Sequence, residues 1–141
     1  MMFVLLLFVT VSLCSGQTIR DNFDFNVRLT CAKTPYFNST ISIEEIDSNK
    51  VDTIAKSMPG LSIGGVRRHR VKVTLLGDEL FSKVYNFQIT IQHNCNNPSG
   101  VTKVVQFQNG IPIQKMFYDV SLDLDLMNLS RVVVPIVRIF N

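Results

Sequence analysis

Apolar and polar residues alternate along residues 86–95. On one side of an extended chain lie Phe87, Ile89, Ile91 and His93, and on the other Gln88, Thr90, Gln92 and Asn94. A period of two is typical of a β-strand that buries one face. This stretch therefore predicts a central strand, and it ends in a cysteine.

The same alternation recurs at residues 23–31, 38–47, 70–76, 101–108 and 117–126. Turn-forming residues such as Asn109-Gly110 separate these stretches. Residues 51–56 fit either a short strand or one helical turn, and the glycines and prolines after them favour a flexible loop. Residues 131–140 are apolar and β-branched but contain Pro135, which predicts an edge strand, a bulge or an exposed sticky tail.

These elements predict an all-β sandwich of about seven to eight strands. No helical pattern longer than two turns, internal repeat or low-complexity segment is evident in the sequence. The 141 residues are enough for one domain with a single core. We expect this domain to occupy residues 17–141.

Residues 1–16 predict a removable signal peptide. The apolar run at residues 3–11 is too short to span a bilayer. Cys14 and Gly16 are small residues at the positions that signal peptidase reads, which predicts cleavage after Gly16. The start lacks a Lys or Arg, and the alternative is a cytosolic chain with a buried N-terminal strand. We expect the protein to be secreted and extracellular.

Cys31 and Cys95 are the cysteines that remain once the leader is removed. Secreted proteins have reason to avoid free thiols, so we expect these two to form a disulfide. In the chain-entropy model, closing a loop of this length stabilises a fold by about 4 kcal/mol. The alternative is two separate buried thiols.

The sequence contains two N-glycosylation acceptor sequences, which can be modified if the chain is secreted. They are Asn38-Ser39-Thr40 and Asn128-Leu129-Ser130. Each is a weak signal because such triplets occur by chance. Asn38 and Asn128 are therefore candidate glycosylation sites, and Asn38 is the stronger because it lies close to a turn.

The formal net charge of +3 is too small for a nucleic-acid-binding protein. Positive charge is concentrated in one place, at Arg67, Arg68, His69, Arg70 and Lys72. On a strand, Arg70 and Lys72 share one face, together with Arg68 if the strand begins early. Such a cluster either protects a sheet edge from aggregation or binds anionic phospholipid head groups or glycans.

The sequence offers no convincing catalytic or metal site. His93 and Cys95 are too few for zinc, and His69 is the only other histidine. An oxidised Cys95 has no thiolate for nucleophilic catalysis. Three aspartates alternate on one strand, which is typical of a solvent-facing surface and not of a calcium loop: Asp119, Asp123 and Asp125. We expect no enzyme activity, no cofactor and no metal.

Four segments behind the leader resemble the nematode transthyretin-like family in order and spacing. They are residues 27–31, 87–95, 101–105 and 117–124, and the most specific of them ends in His93-Asn94-Cys95. The resemblance covers about residues 17–126 and implies a transthyretin-like β-sandwich. Family members commonly carry further cysteines after the equivalent of Cys95 and near the C-terminus. This sequence lacks them, so the family's disulfide pattern does not transfer intact.

The resemblance implies an extracellular binding role. Roles attributed to the family include bridging exposed phosphatidylserine on dying cells to a receptor and, in parasites, interaction with the host. The expected partners are thus an extracellular protein receptor or an anionic membrane surface. The alternative is a carrier of a small hydrophobic ligand between subunits. Hydroxyisourate hydrolases also resemble transthyretin, but they use several histidines and a C-terminal Tyr-Arg-Gly-Ser that this sequence lacks.

Overall fold

The structure, a computed structural model, describes residues 20–48, 50–76 and 82–140. These residues form β-strands joined by turns and contain no helix, which confirms the predicted all-β class. The predicted signal peptide, residues 1–16, lies outside the described residues.

The described residues form twelve strands. In chain order they are β1 (Arg20–Thr30), β2 (Asn38–Asp47), β3 (Lys50–Lys56), β4 (Gly60–Leu61), β5 (Val66–Leu76), β6 (Val84–Tyr85), β7 (Phe87–His93), β8 (Val101–Phe107), β9 (Ile111–Pro112), β10 (Phe117–Asp125), β11 (Val132–Val133) and β12 (Ile136–Phe140).

Two sheets form the sandwich. The four-stranded sheet has the order β12-β10-β1-β5, in which β1 is antiparallel to β5 and parallel to β10. The six-stranded sheet has the order β11-β8-β7-β2-β3, with β4 also paired to β2. The predicted central strand is β7, which lies between β8 and β2 in the middle of this sheet. The short strands β6 and β9 pair with each other.

The core lies between the sheets and is rich in aromatic rings. Phe23 of β1 stacks on Tyr118 of β10 at a centroid distance of 4.7 Å, and Phe87 of β7 meets Phe23 edge-on at 5.2 Å. Each of these side chains is almost completely buried. Truncating such a ring to alanine typically destabilises a protein by about 3–5 kcal/mol. The contact between Phe23 and Phe87 therefore joins the two sheets, whereas the stacking of Phe23 on Tyr118 lies within the four-stranded sheet.

A disulfide between Cys31 and Cys95 also joins the two sheets, which confirms the predicted pairing. Its S–S distance is 2.02 Å and its Cα–Cα distance is 5.9 Å. Cys31 follows β1 in one sheet and Cys95 follows β7 in the other, and both are buried. The bond therefore fixes the ends of two strands that lie 64 residues apart in sequence.

Asp21 is a fully buried carboxylate at the start of β1, and its hydrogen bonds are satisfied. It accepts one from the Tyr85 hydroxyl at 2.9 Å and one from the Met116 backbone N–H at 2.8 Å. Burial is the main cause that raises the pKa of Tyr85, and the hydrogen bond to Asp21 raises it further. Asp21 thus holds β6 and the turn before β10 against β1.

The structure corrects one prediction and refines two others. Residues 50–56 form β3, an antiparallel partner of β2, so the expected loop begins only after a strand. Its side chains are mostly exposed or half-buried, which explains the weak alternation in the sequence. Strand β5 begins at Val66, earlier than predicted. The apolar C-terminal segment contains an edge strand, β12, which pairs only with β10 among the described strands.

Candidate functional site

The edge strand β5 presents three cations on its outer surface. Arg68, Arg70 and Lys72 are exposed, whereas His69 and Val71 between them are buried. This follows from the alternation of side chains along a strand, which places every second residue on the same face about 7 Å apart. We call Arg68, Arg70 and Lys72 the basic face.

Arg70 is held by a carboxylate of the neighbouring strand. Its Nε lies 2.9 Å from Asp24 Oδ1 and 3.0 Å from Oδ2, and its Nη2 donates to Oδ2 as well. Asp24 is only 4% exposed. The hydrogen bond from Arg70 is the main cause that lowers the pKa of Asp24, and it outweighs the opposing effect of burial. Arg70 is therefore oriented, and much of its charge is compensated.

Arg28 on β1 is a further cation of the same face that sequence reasoning missed. It lies opposite Arg68 in the register of β1 and β5. Its Nη1 donates to Asp123 of β10 at 2.6 Å. By contrast, neither Arg68 nor Lys72 forms an ion pair within the described residues. Lys72 lies opposite Asp24 in the register of β1 and β5, so Arg68 and Lys72 supply the charge of the face that no direct ion pair holds in the described part of the chain.

A groove of about 470 Å³ crosses this outer surface of the four-stranded sheet. Its polar lining includes Arg28, Arg68, Arg70, Ser121 and Asp123, and Ile136 of β12 contributes an apolar wall. The volume lies in the range of about 300–1,000 Å³ that is common for ligand sites. Guanidinium groups bind carboxylate, sulfate and phosphate oxygens through paired hydrogen bonds. Arg68 is thus the guanidinium of this groove that no carboxylate holds among the described residues, and the apolar residues Val27, Leu122 and Ile136 line the groove beside it.

Arg67 does not belong to the basic face, although the sequence places it in the same cluster. It lies one residue out of phase and is half-buried. Its guanidinium occupies the space that a side chain on Gly60 would need, and its buried Nε has no hydrogen-bond partner among the residues that the structure describes. The structure therefore separates Arg67 from Arg68, Arg70 and Lys72.

Both histidines are buried and are unsuited to act at the surface. His69 Nε2 and Ser39 Oγ share a hydrogen bond of 2.8 Å. Burial lowers the pKa of His69 to about 4, and Arg67 contributes to the shift. Burial, followed by the charge of Lys103, also lowers the pKa of His93. At neutral pH both are therefore uncharged.

The aspartates of β10 bond to the neighbouring strand β1 or to the turn that follows β10. Asp119 accepts a hydrogen bond from Asn26 at 3.0 Å, and Asp123 pairs with Arg28. Asp125 accepts from the Met127 backbone N–H at 2.9 Å. In the described ranges, no three His, Cys, Asp or Glu side chains cluster in a way that could hold a metal ion.

The two glycosylation candidates differ in their surroundings. Asn38 is exposed at the start of β2, and no side-chain hydrogen bond of its amide is seen among the described residues. Asn128 is also exposed, but its Nδ2 donates to Asp125 Oδ2 at 2.9 Å. Because N-glycosylation modifies this nitrogen, Asn38 is the more available acceptor in the folded protein.

A separate apolar groove lies beside β12. It has a volume of about 220 Å³, and Ile111, Val134, Val137 and Ile139 are among its lining residues. This is smaller than the range of about 300–1,000 Å³ for pockets that hold drug-sized ligands. A single chain therefore offers little room here for a hydrophobic cargo.

The described residues also contain no helix with the length and hydrophobicity that a membrane crossing requires.

Comparisons with known proteins leave the family open. No family model matches this chain, and no curated protein matches it. A solved structure from Bacteroides ovatus, described as a candidate cell adhesion protein, aligns with 85% of this chain at 8% sequence identity and a TM-score of 0.31. The alignment spans 43% of that protein. A likeness this distant establishes neither a shared fold nor a shared function.

Proposed function

We propose that this protein is a secreted binding protein of the transthyretin-like class that attaches to anionic cell surfaces through its basic face and links them to a protein receptor. The observation that carries the proposal is the exposure of Arg68, Arg70 and Lys72 on one face of an edge strand. The buried disulfide supports an oxidising compartment, where such bonds persist.

The expected attraction is weak and depends on salt. Each Lys or Arg near an anionic membrane contributes about 1 kcal/mol. Arg70 is largely compensated by Asp24, so Arg68 and Lys72 provide most of the attraction, about 2 kcal/mol in total. Salt screens exposed charges over about 10 Å at 0.1 M. Binding through this face is therefore weak, reversible and lost at high ionic strength.

The test is sedimentation of the purified protein with liposomes. We expect a larger fraction of it to sediment with phosphatidylserine-containing vesicles at low salt than with neutral vesicles or at high salt. The double variant Arg68→Ala/Lys72→Ala should lose this binding. The matched control Lys33→Ala/Lys56→Ala removes two exposed charges elsewhere and should retain it. Equal binding by both double variants would overturn the role of the basic face.

A second arm distinguishes the source of the anion. The same variants are applied to a column that carries a sulfated glycan. Retention on this column without binding to vesicles would identify an acidic glycan as the surface ligand. Binding in neither arm would refute the proposal, and the basic face would then serve to protect the edge of β5 from strand pairing.

A further inference from the structure

The backbone hydrogen bonds show which residues of β8 direct their N–H and C=O groups toward the edge opposite β7. The backbone N–H groups of Gln106 and Gln108 donate to Arg131 and Val133 on the β11 side, at 2.8 and 2.9 Å. Directly after β7, the Asn94 N–H donates to the Asn38 carbonyl on the β2 side. In an antiparallel strand the N–H and C=O of one residue point the same way, and the direction alternates. The backbone N–H and C=O groups of the even-numbered residues of β8 therefore point away from β7, toward the outer edge of the strand.

The backbone groups of Thr102 and Val104 point to the outer edge of β8, where none of the described strands pairs with them. The partner on this side, β11, has two residues and pairs with Gln106 and Phe107. Within the described residues, no strand pairs with β8 beyond that point on its outer edge. The N–H and C=O groups of Thr102 and Val104 thus form a short free sheet edge.

The free edge opens into a groove of about 670 Å³. The chain before β11 forms its other wall, and the lining includes Thr102, Lys103, Val104, Leu129, Ser130 and Arg131. Lys103 and Arg131 are exposed, and neither forms an ion pair among the described residues. No acidic residue lines the groove. Unlike the groove at the basic face, this one has no built-in counter-charge.

We propose that this groove binds an extended acidic peptide of a partner protein, which adds as a strand to the free edge of β8. An extended peptide can pair with the free backbone N–H and C=O groups of a sheet edge, and side chains near that edge determine which peptide sequence binds. Lys103 and Arg131 select carboxylates. A second copy of this chain fits poorly, because pairing β8 with itself brings Lys103 and Arg131 close to their copies, and like charges opposite one another are destabilising. The groove and the basic face lie on different sheets, so neither proposal depends on the other.

The first test uses two labelled peptides of equal length, Val-Glu-Val-Glu-Val-Glu and Val-Lys-Val-Lys-Val-Lys, in fluorescence anisotropy. We expect binding of the first peptide only. Arg131→Gln should weaken it about fivefold or more, as expected for one lost charge pair. Val104→Pro should weaken it about tenfold or more, because it removes an outward N–H without touching the ladder to β7. Val104→Ala keeps that N–H and should bind like the native protein.

The second test needs no variant. Hydrogen exchange followed by NMR should show fast exchange at the Thr102 and Val104 amides and slow exchange at Lys103 and Val105, which face β7. Adding the acidic peptide should slow exchange at Thr102 and Val104. The proposal is overturned if exchange there does not change, if both peptides bind equally, or if the protein self-associates through β8 instead. The variant Arg68→Ala/Lys72→Ala should bind the peptide normally, which separates this site from the basic face.

Discussion

Mild acid should destabilise this protein through His69. This residue is only 3% exposed, and its neighbours are Ser39 of β2 and Arg67 of its own strand. Burial lowers its pKa from 6.5 to about 4. In the unfolded chain this histidine takes up a proton as the pH falls below 6.5, whereas in the folded protein it resists until about pH 4. The stability that neutral His69 provides is therefore complete above pH 6.5 and lost between these two values.

The size of the effect follows from the two pKa values. One pKa unit corresponds to about 1.4 kcal/mol, so the full loss is about 3 kcal/mol, of which about 2 kcal/mol is reached at about pH 5. This is a large part of the total stability of a typical domain, about 5–15 kcal/mol. The pKa of Asp24 is lowered from 3.8, so its contribution is lost mainly at more acidic pH. His69 therefore accounts for much of the change in this window.

The assay is urea unfolding followed by circular dichroism, at about pH 7.5 and about pH 5. The variant His69→Gln cannot titrate, yet its amide can still bond to Ser39. We expect the native protein to lose about 2 kcal/mol more than this variant on acidification. The pKa of His93 is also lowered, chiefly by burial, so His93→Gln measures the remaining slope. If His69→Gln and the native protein lose equal stability, the assignment to His69 is wrong.

Two further predictions concern covalent features. Replacing Cys31 and Cys95 together with alanine should lower the free energy of unfolding by about 4 kcal/mol, because the unfolded chain is no longer constrained; an unchanged urea midpoint would contradict this. Expression in a eukaryotic secretory host should attach a glycan at Asn38, so Asn38→Gln should increase gel mobility. Asn128→Gln should change it little, because the Asn128 amide is held by Asp125; the opposite result would refute the structural preference for Asn38.

Sequence alternation located the strands that bury one face along most of their length. Strand β7 is the clearest case, because Phe87, Ile89 and Ile91 all point into the core. Strand β3 could not be assigned because it lies at an edge and buries little on either face. Strands β4, β6, β9 and β11 have two residues each, too few to reveal a period. The sequence therefore predicts the long strands that bury one face better than the edge strand β3 and the two-residue strands.

Alternation also placed Arg68, Arg70 and Lys72 on one face, but it could not show which charges are compensated. Asp24 is 46 residues from Arg70 in sequence, and Arg28 is 95 residues from Asp123. Both pairs arise from the order of strands in the sheet, which no local pattern contains. The net charge of a sequence cluster is therefore a poor measure of the charge that a ligand meets.

The same reasoning explains why the two proposed sites need different experiments. At the basic face, Arg68 and Lys72 form no ion pair within the described residues, so binding there should depend on charge and disappear with salt. At the β8 groove, backbone groups of Thr102 and Val104 add hydrogen bonds that salt does not screen, so peptide binding should weaken with salt but persist. Because the two sites lie on different sheets, the protein can hold both ligands at once. Recruitment of the acidic peptide to phosphatidylserine vesicles should then require the protein; Arg68→Ala/Lys72→Ala should abolish it and Val104→Pro should weaken it.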